Sequence, residues 1–249
     1  MWIISNGAHK TGSTWVNRLL RLTGRLETVP AEFRDAAWTN SSVTNVEIEK
    51  AARLLGPVDT IYGSKQHFAH GSGILDIHGV KVINSIRDIR DTAVSRYFHD
   101  VRVKNEPLSI EDYFEAYAER IVNQFNSYQR YWIDAPEKHA WNYHITSYEF
   151  LSDNPVEACR QMFMFCSFFI SQDEIEKIVD KADFNKLDTG PGKFFRKGKV
   201  HAFADDLSPA LVDRIMGLAE RGGLRDIKRR IAAFNPSLTP YLENTDVGL

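Results

Sequence analysis

The sequence predicts an α/β fold of three layers, with a central, mostly parallel sheet flanked by helices. Residues 2–5, WIIS, form an apolar run that enters the loop NGAHKTG, and residues 14–22 then repeat apolar side chains at helical period up to Gly24, a stop signal. Three further apolar or alternating runs, TIYG at 60–63, VKVINSI at 80–86 and WNYHITSY at 141–148, are each followed by helical patterns, as crossovers of a parallel sheet require. Gly7 and Gly12 carry the G-x-x-x-x-G spacing of a phosphate-binding loop, which makes the expected fold P-loop-like.

The later elements follow in order. Residues 109–133 form a long amphipathic stretch in which Ser109 and Asp112 resemble a capping box. Asn154-Pro155 opens a helix bearing Cys159 and Cys166, Ser171 and Glu174 cap the next, and Ser208-Pro209 starts one with apolar Leu211, Val212, Ile215 and Leu218. Residues 183–207, rich in Gly, Lys and Asp, lack periodicity and read as a long functional loop. With 249 residues and no internal repeat or low-complexity linker, one domain spanning 1–249 is expected.

Composition narrows the function. With 31 basic and 33 acidic residues the net charge is −2, which argues against a protein that coats nucleic acid, so any anion site must be local. The two cysteines sit seven apart in an apolar segment and read as reduced core thiols. No signal-peptide pattern opens the chain and no run of about 18 apolar residues occurs, so a soluble, cytoplasmic protein without a membrane span is expected.

In a nucleoside-triphosphate loop, G-x-x-x-x-G-K-[ST], the lysine follows the second glycine. Here Ser13 stands in that place and Lys10 lies two residues before Gly12. A strand feeding a glycine turn and a helix N-terminus still aims several N–H groups at one point, so an anion is expected, with its cation displaced. Downstream of VKVINSI come Arg87, Arg90, Ser95 and Arg96. The arginine fork suits a phosphate monoester, although alternating charges also make an ordinary solvated helix face. Arg196, Lys197 and Lys199 surround Gly198, either as an anion loop or as a basic surface loop.

Together these segments resemble the sulfotransferases that use 3′-phosphoadenosine 5′-phosphosulfate (PAPS). HKTGSTW is similar to that family's 5′-phosphosulfate loop P-K-S-G-T-T-W, IRDIRDTAVSRYF to its R-x-x-[KR]-D-x-x-V-S-x-[YF] segment, and FFRKGKV to its late R-K-G element. SKQHFA at 64–69 resembles K-T-H-[LF]-P, and SYEFLSDNP at 147–155 the segment whose tyrosine lies by adenine. His9 and Ala69 stand where the family has proline, and His201, Ala202 and Phe203 replace its G-D-W. A chain that begins almost at its first strand suggests a compact, microbial-like member.

The resemblance implies a sulfuryl transfer from PAPS, releasing 3′,5′-adenosine bisphosphate (PAP), to a small-molecule hydroxyl or amine, with no metal. It implies His67 as general base, Lys65 beside it, Lys10 at the leaving phosphate, and Ser95 restraining Lys10. Thr11, Gly12, Ser13 and Thr14 would hold the 5′-phosphate, and Trp15 and Tyr148 would border the adenine. Arg87, Ser95, Arg196, Lys197 and Gly198 would hold the 3′-phosphate. Two other readings stay open: a phosphate-loop small-molecule kinase, disfavoured by Ser13 and by Asn84 where magnesium would need an acid, and a non-catalytic adenine-nucleotide-binding protein. The acceptor pocket is expected from loops 25–45, 66–79 and 100–110, where Phe33, Trp38, Phe68 and Phe98 either line it or belong to the core. Acceptor identity and oligomeric state stay open.

Overall fold

The protein is described from a computed structural model, which covers residues 1–30, 53, 55, 59–68, 72–104, 108–183 and 199–243. Arg196, Lys197 and Gly198, together with Phe33 and Trp38, lie outside the described residues.

Five described strands form one sheet: β1 (Trp2–Gly7), β2 (Glu27–Thr28), β3 (Tyr62–Lys65), β4 (Val80–Ile86) and β5 (Tyr143–Ser147), in the order β2-β3-β1-β4-β5. Every pairing is parallel. β1 lies between β3 and β4 and is buried along its whole length, which is why it reads as a continuous apolar run instead of an alternating one. The strand expected at 60–63 is displaced by two residues. The Thr60 carbonyl accepts from the Met1 ammonium at 2.9 Å and the Ile61 carbonyl from Glu27 N–H at 2.8 Å, so pairing with β1 begins at Tyr62, opposite Trp2. Hydrophobic pattern alone does not carry that register.

The longer helices are α1 (Ser13–Leu22), α2 (Ile89–Lys104), α3 (Ile110–Ile133), α4 (Pro155–Phe165), α5 (Gln172–Ala182), α6 (Pro209–Arg221) and α7 (Leu224–Phe234). Ser109 caps α3 by accepting from Asp112 N–H, and Ser171 with Glu174 forms a full capping box on α5. Cys159 in α4 and Cys166 just beyond it are buried free thiols whose pKa values burial pushes up to about 12, so both stay protonated. One apolar cluster packs around the sheet, with Trp2, Ile4, Val82 and Trp132 at its centre, and a second joins α2, α3 and α6 through Val94, Phe114, Val122 and Ile215. Asn126 of α3 reaches the Ala219 carbonyl of α6 at 3.1 Å, and Tyr113 of α3 donates to Asp100 of α2 at 2.7 Å. These contacts fix α6 and α2 against α3, beside the loop that follows β1. Among the described residues no helix is long and apolar enough to cross a membrane.

Candidate functional site

The loop between β1 and α1 is built by two close approaches. A side chain at Gly7 would bring a Cβ to 2.4 Å from Ser85 Oγ and 2.6 Å from Thr11 Oγ1, so only glycine lets the loop turn beside β4. Gly12 has φ +103°, a left-handed conformation, and a Cβ there would meet Tyr148 at 3.1 Å. Lys10 also has positive φ, at 73°, which costs a non-glycine residue on the order of 1 kcal/mol and marks a position held by its surroundings. Thr11 supplies the brace: its hydroxyl donates to the Ala8 carbonyl at 2.8 Å, and its N–H reaches the same oxygen at 3.3 Å. Both donors of Thr11 therefore shape the loop.

The first intrahelical bonds of α1 run from the N–H groups of Trp15 and Val16 to Gly12. The N–H groups of Ser13 and Thr14 are thus left at the helix start. No side chain caps this end and no acid lies in its first turn, so its partial positive charge has no intramolecular anion in α1 itself.

The end of β1 also positions His67. Gln66 N–H bonds the Ser5 carbonyl and Phe68 N–H bonds Asn6 Oδ1, both at 2.9 Å, which brings the imidazole to the Gly7 carbonyl. His67 Nδ1 lies 2.8 Å from that carbonyl oxygen. A carbonyl only accepts, so the proton sits on Nδ1 and the Nε2 lone pair faces Lys65 Nζ, which donates at 2.9 Å. Burial, followed by the charges of Lys65 and Lys10, pulls the His67 pKa down to about 4, against the opposing hydrogen bond to Gly7. The imidazole is neutral at neutral pH, and Lys65 is itself pulled below the ordinary lysine range by burial. His9 stacks on His67 with ring centroids 4.3 Å apart.

A second cluster forms where β4 meets α2. The Arg87 guanidinium lies 4.0 Å over the Tyr148 ring, whose other neighbours are Trp15, at 5.3 Å between centroids, and Gly12. Arg87 Nε is buried and has no hydrogen-bond partner among the described residues, while Nη2 reaches the Lys199 carbonyl at 3.3 Å. Asp91 faces Arg87 at 3.7 Å and accepts from the N–H groups of His201 and Phe203, each at 2.9 Å. It thereby anchors the start of the late segment beside Arg87. Arg90, by contrast, is buried in a two-point bond with Asp88 and lies over the Phe203 ring at 4.1 Å, so its role is scaffolding and not ligand contact. Ser95 is half-buried in α2, one turn beyond Asp91.

Glu149 supports the same corner. It is buried and accepts from Asp88 N–H at 2.9 Å; burial pushes its pKa up to about 7, opposed by its backbone hydrogen bonds. A raised pKa means that stability is full below the unfolded value and is lost as pH rises through about 7. Glu149→Gln keeps an acceptor for Asp88 and removes the titration. The variant is expected to lose less stability than its parent between about pH 4 and about pH 8, by at most on the order of 3 kcal/mol. Urea unfolding at both pH values checks this, and a parent–variant gap independent of pH would count against it.

Beside His67 opens a cavity of about 620 Å³, between the loop after β1, α2 and α3. Its polar lining includes His9, Arg96, Arg120, Asn123 and Gln124, over an apolar base of Ala8, Ile121 and Phe125. Of the loops expected to build the acceptor pocket, 66–79 contributes His67 to this cavity, and the two described aromatic residues left open between lining and core belong to the core. Phe68 is 1% exposed in the core, where its carbonyl accepts from Trp132 Nε1, and Phe98 packs on the α2–α3 cluster. Neither Phe68 nor Phe98 lines the cavity; the wall comes instead from the polar face of α3, which in sequence is indistinguishable from a solvated helix surface.

The structure thus brings Lys10, Thr11, Gly12, Ser13, Thr14, Trp15, Lys65, His67, Arg87, Ser95 and Tyr148 onto elements that meet at the C-terminal ends of β1, β3, β4 and β5. Sequence reasoning missed Asp91 as the anchor of residues 201–203, the stack of His9 on His67, and the α3 wall. Asn84 is buried, with Oδ1 accepting from the Tyr128 hydroxyl at 3.2 Å, and no group of three His, Cys, Asp or Glu among the described residues has metal-ligand geometry.

A family model described as "Sulfotransferase domain" matches residues 2–221. Among solved structures, a mouse sulfotransferase complexed with PAP superposes with a TM-score of 0.65 at 15% identity, covering 98% of this chain and 88% of that one. Retinol dehydratase in a complex with retinol and PAP gives 0.66 at 16% identity, covering 89% and 80%. A sulfotransferase from Alicyclobacillus acidocaldarius gives 0.54 at 16% identity, covering 93% and 94%. At such identities these likenesses establish the fold. No curated protein matches the chain by sequence.

Proposed function

The chain belongs to the sulfotransferase family, and from that premise we propose that it moves a sulfuryl group from PAPS to the hydroxyl or amine of a small-molecule acceptor. Residues 1–249 act as one domain. One observation carries the reading: a neutral imidazole, with Nδ1 tied to Gly7 and Nε2 as the acceptor, stands at the mouth of a loop whose helix N-terminus carries no acid and no cap.

The reaction is an in-line displacement. His67 Nε2 takes the proton from the acceptor hydroxyl as its oxygen bonds to sulfur, while the S–O bond to the bridging oxygen breaks and its electron pair stays with the 5′-phosphate of PAP. Lys10 and the N–H groups of Ser13 and Thr14 stabilise the charge that grows there, with Thr11 and Gly12 shaping the loop. Lys65 leaves His67 to shield the sulfuryl oxygens, which exposes the lone pair that its ammonium covers in the absence of donor. Arg87 holds the 3′-phosphate, its buried Nε supplying a donor without another partner among the described residues, with Ser95 and the segment of Arg196, Lys197 and Gly198 completing that grip. Trp15 and Tyr148 border the adenine, Tyr148 also steadying Arg87. Ser95 restrains Lys10 until acceptor is bound.

The test combines calorimetric titration with PAP and transfer of labelled sulfate from PAPS to a panel of hydroxylated compounds. Binding together with transfer is expected. Binding without transfer to any acceptor supports a nucleotide-binding protein instead, and magnesium-dependent ATP turnover supports a kinase; either result removes the proposal.

A further inference from the structure

The cavity beside His67 is not built for a neutral, apolar acceptor. Two arginines, Arg96 from α2 and Arg120 from α3, enter its wall, and no aspartate or glutamate lies among its described lining residues. Arg96 gives Nε to Asp100 at 3.0 Å, and Asp100, 2% exposed, also accepts from the Tyr113 hydroxyl at 2.7 Å. That bond uses one of five guanidinium donors and fixes the orientation of the side chain. Arg120 lies 4.7 Å from the Tyr117 ring centroid, which steadies a long side chain on the exposed face of α3. Asn123 and Gln124 extend the same wall with neutral hydrogen-bonding groups, and Ile121 and Phe125 give an apolar base.

The field at the mouth points the same way. His9 is held neutral first by burial and then by His67, Arg96, Lys65 and His99, each of which disfavours a further positive charge. A cationic acceptor would meet that repulsion, whereas an anionic one would be drawn in.

We propose that the acceptor carries an anionic group, a carboxylate or phosphate, which Arg96 and Arg120 bind while its hydroxyl or amine reaches His67 Nε2. This rests on the reading of His67 as the base. A volume of about 620 Å³ lies within the range of small-molecule sites, so the acceptor is a metabolite-sized hydroxy acid or hydroxy phosphate with an apolar body. An arginine fork binds a carboxylate or phosphate through paired, charge-assisted hydrogen bonds, and losing one such partner costs on the order of 10- to 100-fold in affinity.

The experiment titrates the PAP-loaded protein with 3-(4-hydroxyphenyl)propionate, with its methyl ester and with 4-hydroxyphenethyl phosphate. At least one anion is expected to bind about 10-fold or more tighter than the ester, and the two anions separate a carboxylate site from a phosphate site. Arg120→Gln is expected to abolish that preference while leaving PAP affinity unchanged. It avoids the buried Asp100 contact that Arg96→Gln would break. An ester that binds as well as both anions, no binding of either anion, or a preference that survives in Arg120→Gln overturns the proposal. Failure of PAP itself to bind strikes the donor reading instead, so the two failures are distinguishable.

Discussion

Replacing Lys10 with alanine is expected to lower kcat by on the order of 10²- to 10³-fold, because on the proposed mechanism it removes a cationic donor from the charge that grows on the leaving phosphate. The fold should survive. Alanine keeps a Cβ at the same φ of 73°, so the backbone strain is neither relieved nor increased. The turn itself is braced by the Thr11–Ala8 bonds and by the tight fit of Gly7 against Ser85, none of which involves the lysine side chain. Thermal unfolding should therefore shift little, and PAP affinity should fall far less than turnover, since the N–H groups at the start of α1 are retained. There is a second signature. The Lys10 charge is one of the causes that depress the His67 pKa, so the variant should also show a raised acid limb in its pH–rate profile. A kcat within about tenfold of the parent at saturating donor would remove Lys10 from the chemistry.

What sequence revealed and what it concealed divides along one physical line. Features set by local chain chemistry were legible: the strand–loop–helix start, β4 at 80–86, the Ser109 and Ser171 caps, and helices opened by Pro155 and Pro209. Contacts that depend on which distant segments meet were not. Asp91 reads as one charge in an alternating run, yet its bonds go to N–H groups more than a hundred residues later, at His201 and Phe203. Arg90 and Arg87 look alike in that run, but one is closed by Asp88 while the other stands over Tyr148. The register that starts β3 at Tyr62 is decided by the backbone of Met1 and Glu27, outside any pattern in residues 60–63. For the α3 wall of the cavity the difficulty is greater, since a polar helix face shows the same periodicity whether it borders solvent or a cavity. The resemblance to sulfotransferases pointed to the loop after β1 because a phosphate-loop pattern is concentrated in a few consecutive residues, and it said little about α3 because a cavity wall is spread over a surface.

The same division bears on His67, where a short motif suggested a base and only the structure gives its protonation. His67→Asn is expected to reduce kcat/KM by on the order of 10²- to 10⁴-fold, since its amide has a donor for the Gly7 carbonyl but no basic lone pair. Parallel unfolding curves separate this from damage to the fold. The pH dependence is sharper evidence than the loss of rate. With its pKa pulled down to about 4, His67 is a competent base throughout the neutral range, and the acid limb of kcat/KM should lie well below the value of about 6.5 for an ordinary histidine. Lys65 is a smaller cause than burial, so Lys65→Met should move that limb upward without bringing it to the ordinary value, in addition to slowing transfer. A limb unmoved in Lys65→Met would mean that the ammonium does not act on the imidazole during turnover. A limb near 6.5 in the parent would mean that His67 is solvated when it works, and the tie between a buried, neutral Nε2 and proton removal from the acceptor would then be lost.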